Sequence, residues 1–243
     1  MKPSIDAHSI CYSLFLHLLP GILTGLVYYM LAPMVQKMGY PSVLALSWAG
    51  ILVLIPYVTI FMFRQRRRQE QKGWRGLIPY LEPMGFRYYI LWILVIIVAS
   101  GVAFKALEFT VAPIKELFQW MPDAWVLHLG LDGSYGRSEL IITYAFFLVL
   151  VVIVLPVLEE IYFRGYLLPR MPRRLGGWTV PLHSFLFALY HTWTPWLVVT
   201  RTAGVLPLAT LVRRKRNIMI GILAHCLINS IDLIVAVIFI AQG

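Results

Sequence analysis

The sequence predicts an all-α fold, a polytopic integral membrane helix bundle of about seven transmembrane helices with the N-terminus inside and the C-terminus outside. Three observations carry that expectation. Of the 243 residues, 60% are hydrophobic and only 13% are charged, whereas soluble domains average about 45–50% and about 25%. Together with a mean hydropathy of +0.76, this leaves too few polar side chains to coat a water-soluble globule, and it excludes disorder, which needs low hydrophobicity and high charge. Apolar stretches close to the roughly 20 residues that cross a bilayer as a helix recur along the whole chain. The basic residues, finally, sort to one side once those stretches are made to alternate.

The elements follow in order. Residues 1–13 are polar, with Lys2, Asp6 and His8, and show neither the early basic region nor the small-residue cleavage site of a secretory signal, so the first span is expected to be retained. Spans are expected at 14–35, 42–63, 88–108, 139–168, 178–192 and 217–241, with a weaker one at 195–212 that contains Arg201. The fourth is longer than a straight crossing requires and the fifth is short. No stretch alternates with period two long enough for a barrel. Cys11 and Cys226 are the only cysteines; with one near the N-terminus and the other within a span, no disulfide framework or Cys-type metal site is implied. The loop 109–138, with Trp120, Asp123, Trp125 and a Gly-rich turn at 131–136, is too long for a tight connector and reads as an interfacial segment. With seven alternating spans, 16 of the 21 basic residues, including the runs at 64–75, 170–174 and 213–216, fall on the cytoplasmic face. The net charge of +10 is thereby a topology signal, some of it available to anionic headgroups of the lipid bilayer, and no nucleic acid partner is needed to explain it.

Ionisable residues within spans are costly, by about 3 kcal/mol or more, and are functional candidates by default. Span four ends in Leu155-Pro156-Val157-Leu158-Glu159-Glu160-Ile161-Tyr162-Phe163-Arg164. Glu160 and Arg164, at i and i+4, share a face and can pair. Glu159 is turned away by roughly 100° and faces elsewhere, as a general base with a poorly solvated carboxyl would. The alternative is that all three form a buried polar cluster. In span five, Phe187 and His191 share a face, and a lone histidine in an apolar helix is more often a packing residue than a ligand; His183, two turns earlier, has no assigned role. In the last span His225, Asn229 and Asp232 stack along one face and must meet protein or water, either as a site or as interhelical hydrogen bonds worth about 1–2 kcal/mol. At ~1.5 Å per residue, Glu159 and His225 come to similar depths from the basic side, with His191 deeper, so a chamber reached from the cytoplasmic half is expected. Arg201 is readable as snorkelling, as a ligand for a substrate carboxylate, or as the mark of a partly re-entrant segment.

Glu159-Glu160-x-x-x-Arg164, Phe187-x-x-x-His191 and His225-x-x-x-Asn229, in that order on separate spans, resemble the motifs of the CPBP (CAAX protease and bacteriocin-processing, or Abi) family of intramembrane glutamate endopeptidases. Arg164-Gly165-Tyr166-Leu167-Leu168 is similar to the family's extension of the first motif. The resemblance covers 138 to the C-terminus, which divides the chain into N-terminal helices with the external loop (1–137) and a CPBP-like catalytic membrane domain (138–243). It implies Glu159 as general base on a water that His191 helps to hold, His225 and Asn229 as donors to the developing oxyanion, and Glu160 and Arg164 as organisers of the site. Asp232 and Phe187 are expected as supporting residues. It also implies a metal-independent hydrolase acting on a peptide or protein substrate presented in the membrane, in the plasma (inner) membrane if the host is bacterial.

Two other readings compete with the glutamate peptidase. His191, His225 and a glutamate could supply three zinc ligands with an open position, although no His-Glu-x-x-His helix is present. A non-enzymatic immunity or scaffold protein could retain an unused pocket. A transporter, suggested by Pro156 and Gly-rich span ends, lacks a repeated half.

Overall fold

The computed structural model describes residues 6–68 and 73–242, the side chain of Arg75 excepted. Of the predicted basic face, Lys2, Lys72 and the rest of 69–72 lie outside the described residues. Six helices among the described residues are long and apolar enough to cross a membrane: α1 (Ile10–Lys37), α2 (Val43–Arg68), α3 (Phe86–Glu116), α4 (Arg137–Arg170), α6 (Pro195–Lys215) and α7 (Ile218–Gln242). Between α4 and α6 lies α5 (Thr179–Tyr190), of 12 residues. At 1.5 Å per residue this is about 18 Å, short of the ~30 Å hydrocarbon core. Among the described residues there are thus six helices long enough to cross and, between α4 and α6, one too short to do so, where the sequence suggested about seven crossings.

The short helix has a local cause. Pro195 follows Thr194, and the residue before a proline is pushed out of the helical region; Thr194 adopts φ −142° and ψ 58°. Helix α5 therefore stops at Tyr190, with His191 as its C-cap. The chain resumes helical geometry only after Pro195, which is tolerated in a first turn because its missing N–H would have no partner there. Non-helical backbone at this depth is permitted where it is buried in protein or lines a cavity.

Helix α4 is wound unevenly. Its segments Leu148–Val154 and Glu160–Leu167 are π-helical and flank an α-helical turn, Leu155–Glu159. Pro156 supplies a reason, because it has no N–H to continue the i→i−4 ladder and its ring crowds the preceding turn. Such wider turns recur at functional sites, and here they surround Glu159 and Glu160.

The helix ends sort into two groups. At one, the His8 N–H donates to the Arg170 carbonyl at 2.8 Å, and Arg170 Nη1 donates to the Leu77 carbonyl at 3.0 Å. Nearby, Glu82 N–H donates to the Arg216 carbonyl at 2.9 Å, and Ile218 N–H to that of Tyr80 at 2.9 Å. The start of α1, the end of α4 and the α6–α7 turn thus share one end of the bundle with 76–82, as the basic runs predict. At the other end the long loop packs across helix termini: His128 N–H donates to Ser42 Oγ at 2.8 Å, Tyr144 Oη to the Leu129 carbonyl at 2.9 Å, and Phe118 meets Trp196 at 6.3 Å between ring centres. The apolar core runs from α1 through α2, α4 and α5 to α7, including Leu16, Tyr28, Leu54, Tyr162, Phe187 and Ile220.

Candidate active site

The carboxyl pair is buried inside the bundle. Glu159 is 6% exposed, and Glu160 and Arg164 are fully buried. Arg164 Nη1 lies 3.0 Å from Glu160 Oε1, the expected i, i+4 pair, and its guanidinium carbon lies 3.8 Å from the centre of the Phe187 ring. The arginine is thus held by an ion pair along its helix and a cation–π contact across to α5; the 3.0 Å contact lacks hydrogen-bond alignment, and none of the guanidinium nitrogens has a hydrogen-bond partner among the described residues. Phe187, expected only as support, therefore acts directly on the charged pair. Its ring is the floor on which Arg164 rests, and its edge meets His191 at 4.8 Å between centres.

Glu160 Oε1 also meets His225 Nδ1 at 3.0 Å. An ionised Glu160 can only accept, so Nδ1 carries the proton and Nε2 is turned towards Glu159, 3.9 Å from Oε2, a separation too long for a hydrogen bond. Helix α7 comes this close because Gly221 has no side chain: a Cβ there would stand 2.8 Å from Glu160 Oε2 and 2.7 Å from Val212 Cγ2.

Glu159 has a different partner. Tyr190 Oη donates to its Oε1 at 3.1 Å. Next to Tyr190, His191 Nδ1 meets the Phe187 carbonyl at 2.9 Å. A carbonyl can only accept, so Nδ1 holds the proton and the neutral ring offers the lone pair of Nε2. The structure therefore gathers Glu159, Glu160, Arg164, Phe187, His191 and His225 from α4, α5 and α7 into one cluster. Asn229 stands one turn beyond His225, where its Nδ2 donates to the Val151 carbonyl at 2.8 Å, in the π-helical part of α4. Asp232 is exposed on α7 and shares no hydrogen bond with His225 or Asn229, so the stacking read from the sequence does not join it to them.

Several residues here carry no motif in the sequence. Tyr190 lies between Phe187 and His191, where a phenol in an apolar helix needs a polar partner. Helix α1 carries Gly21-Ile22-Leu23-Thr24-Gly25, the small-xxx-small pattern that lets membrane helices approach closely. At Gly21 a Cβ would be 2.0 Å from the Tyr190 carbonyl oxygen, and at Gly25 2.0 Å from Thr192 Oγ1. Thr192 Oγ1 donates to the Gly21 carbonyl at 2.9 Å and Tyr29 Oη to the Thr192 carbonyl at 2.6 Å. His183, to which the sequence assigned no role, is fully buried and faces His17 of α1, with His183 Nδ1 and His17 Nε2 2.9 Å apart. His17 Nδ1 meets the Ser13 carbonyl at 2.7 Å and so carries the proton, which leaves His17 Nε2 to accept from His183. Through these contacts α1 fixes the end of α5 that bears Tyr190 and His191.

No three His, Cys, Asp or Glu side chains among the described residues gather in a metal-binding arrangement, so the zinc alternative gains no support from the geometry. An apolar cavity of about 280 Å³ lies beside the α5 terminus, lined by Tyr29, Phe118, Trp120, Trp125, Thr192 and neighbours, where the long 109–138 loop meets the segment that carries His191.

A polytopic helical membrane protein with a buried, paired-carboxylate and histidine centre is what the fold and site define. Residues 141–231, from within α4 into α7, match the family model described as type II CAAX prenyl endopeptidase Rce1-like, so a resemblance to CAAX-protease domains of the CPBP kind is detected over this part of the chain. Searches of curated proteins and of solved structures gave no match.

Proposed function

We propose that this protein is an intramembrane endopeptidase that hydrolyses a peptide bond of a membrane-presented protein or peptide by glutamate-activated water. The observation that carries the reading is the division of the two adjacent glutamates. Glu160 is paired with Arg164 and His225, whereas Glu159 keeps only a neutral phenol as hydrogen-bond donor and has an oxygen facing His225. In this mechanism a water held by the free Nε2 of His191 loses a proton to the Glu159 carboxylate as its oxygen bonds to the scissile carbonyl carbon. The carbonyl π-electrons move onto oxygen; Asn229 Nδ2 donates to the oxyanion, and His225 does so from Nε2 when its ring carries a second proton, a type of contact whose loss costs about 2.7–4 kcal/mol in known hydrolases. The intermediate collapses with cleavage of the C–N bond, and the proton on Glu159 goes to the leaving amine. Glu160 and Arg164 hold His225 and Phe187 in place throughout.

The match to a CAAX-protease domain supports this chemistry, and the basic end of the bundle supports a cytoplasmic opening by the positive-inside rule. Comparative proteomics of membrane peptides from cells with wild-type protein or Glu159→Ala tests it: a set of peptides is expected to change in length only with the wild type, and identical profiles at matched expression would reject the reading. Asp232→Ala is expected to leave cleavage of those peptides within about twofold of wild type, because Asp232 is exposed and hydrogen-bonds to neither His225 nor Asn229; a tenfold loss would restore Asp232 to the site.

A further inference from the structure

Arg201 of α6 belongs to none of the three motifs, yet it is built into the wall of the same site. Its Nη2 donates to Thr194 Oγ1 at 3.0 Å, and the Thr194 N–H donates to the His191 carbonyl at 3.1 Å, so the guanidinium is anchored to the turn that carries His191. Its Nη1 is buried and has no hydrogen-bond partner among the described residues. Tyr190, which donates to Glu159 Oε1 at 3.1 Å, immediately precedes His191, so the guanidinium is anchored to the segment that holds the Glu159 carboxylate. Snorkelling is thereby excluded, since a snorkelling arginine takes its charged head out to water.

Charge balance says what such a cation does here. Glu160 and Arg164 neutralise each other at 3.0 Å, which leaves Glu159 as a second buried carboxylate whose hydrogen-bond donor among the described residues is an uncharged phenol, with His225 Nε2 3.9 Å away, too far to hydrogen-bond. A buried charge without a partner is strongly unfavourable. The donors that the proposed mechanism gives the oxyanion are also partly engaged: His225 Nδ1 with Glu160, and Asn229 Nδ2 with the Val151 carbonyl. Arg201 Nη1, by contrast, keeps N–H groups with no acceptor.

We infer that Arg201 is the counter-charge of the reaction centre, balancing the Glu159 carboxylate before attack and donating from Nη1 to the tetrahedral oxyanion after it. The inference rests on the peptidase reading. As the water forms its C–O bond, its proton neutralises Glu159 and the negative charge appears on the former carbonyl oxygen. One fixed cation serves both states, and the net charge of the chamber does not change during the step.

The test has two arms. In the first, thermal unfolding of the purified full chain in detergent is measured for Glu159→Gln, Arg201→Gln and the double variant. Arg201→Gln is expected to lower the midpoint in the wild-type background and to have a much smaller effect once Glu159 is already neutral; strictly additive shifts would overturn the counter-charge. In the second, cleavage of a membrane peptide identified by the proteomic comparison is followed. Arg201→Gln is expected to lower kcat about 100-fold with KM within about twofold, as for loss of an oxyanion donor, and Arg201→Lys to recover at least tenfold of that loss. A raised KM at unchanged kcat, or no rescue by lysine, would overturn the oxyanion role. If the wild type cleaves nothing, the peptidase reading and the oxyanion role fall together, and the first arm still decides whether Arg201 balances Glu159.

Discussion

Replacement of Arg164 by leucine is expected to destabilise the protein by about 3–5 kcal/mol, the usual cost of removing one member of a buried ion pair. The remaining Glu160 would be fully buried with His225 as its sole polar partner, and Phe187 would lose the guanidinium stacked 3.8 Å above it. Unfolding of the purified protein in detergent measures the loss. The pair Glu160→Leu/Arg164→Leu is expected to regain most of the stability, because well-packed apolar residues replace buried ion pairs at little cost, while remaining inactive because His225 has lost the carboxylate that orients it. Recovery of both stability and cleavage would show that the pair is scaffolding only. Wild-type stability in the Arg164→Leu single variant would show that Glu160 is not buried as a charge.

The second large effect is expected far from the motifs. Alanine at Gly21 places a methyl group 2.0 Å from the carbonyl oxygen of Tyr190 and 2.7 Å from its carbonyl carbon. Backbone atoms cannot swing aside as a flexible side chain can, so α1 and the end of α5 must separate. Overpacking of this kind costs about 1–3 kcal/mol. The greater consequence is for geometry, since Tyr190 and His191 sit on the displaced segment and a shift of about 1 Å at a reacting group can reduce turnover about 100-fold. Gly21→Ala is therefore expected to reduce cleavage more than its loss of stability alone explains. Gly101→Ala in α3, where nothing lies within 4 Å of the added atom, is the control and is expected to leave cleavage at the wild-type level. Equal behaviour of the two variants would refute the role given to α1.

How much of the site was legible in the sequence depended on reach along a helix. Glu160–Arg164 and Phe187–His191 are spaced i, i+4, and side chains that long and that close find one another whatever the rest of the bundle does. The pairing of Glu160 with Arg164 even survives the π-helical winding of their turn, which no periodicity announced and which Pro156 helps to explain. Contacts between helices were not legible in the same way. That Asn229 would reach Val151, or that Arg201 would anchor to the His191 turn, depends on how α6 and α7 lie against α4 and α5. The stacking of Asp232 below Asn229 was correct as helix geometry, but the α7 face turns away from the cluster before reaching it. Helix α1 shows the opposite failure. Its Gly21–Gly25 pattern was in plain view, but the recognisable motifs all lie beyond residue 138, and the earlier spans read only as hydrophobic. The bundle makes α1 part of the wall that positions His191.

The reading of the site stands or falls with Glu159 as the base that activates water for peptide hydrolysis within the membrane. Its most direct test is cleavage of a defined transmembrane peptide by the purified full chain in liposomes, comparing the wild type with Glu159→Gln, which keeps the shape of the side chain and removes the base. Cleavage at a single bond is expected for the wild type, and at least a 1,000-fold lower rate for Glu159→Gln (about 4 kcal/mol of barrier), with the variant still folded, as its cooperative thermal unfolding shows. Cleavage by Glu159→Gln at a rate within tenfold of the wild type would contradict that role.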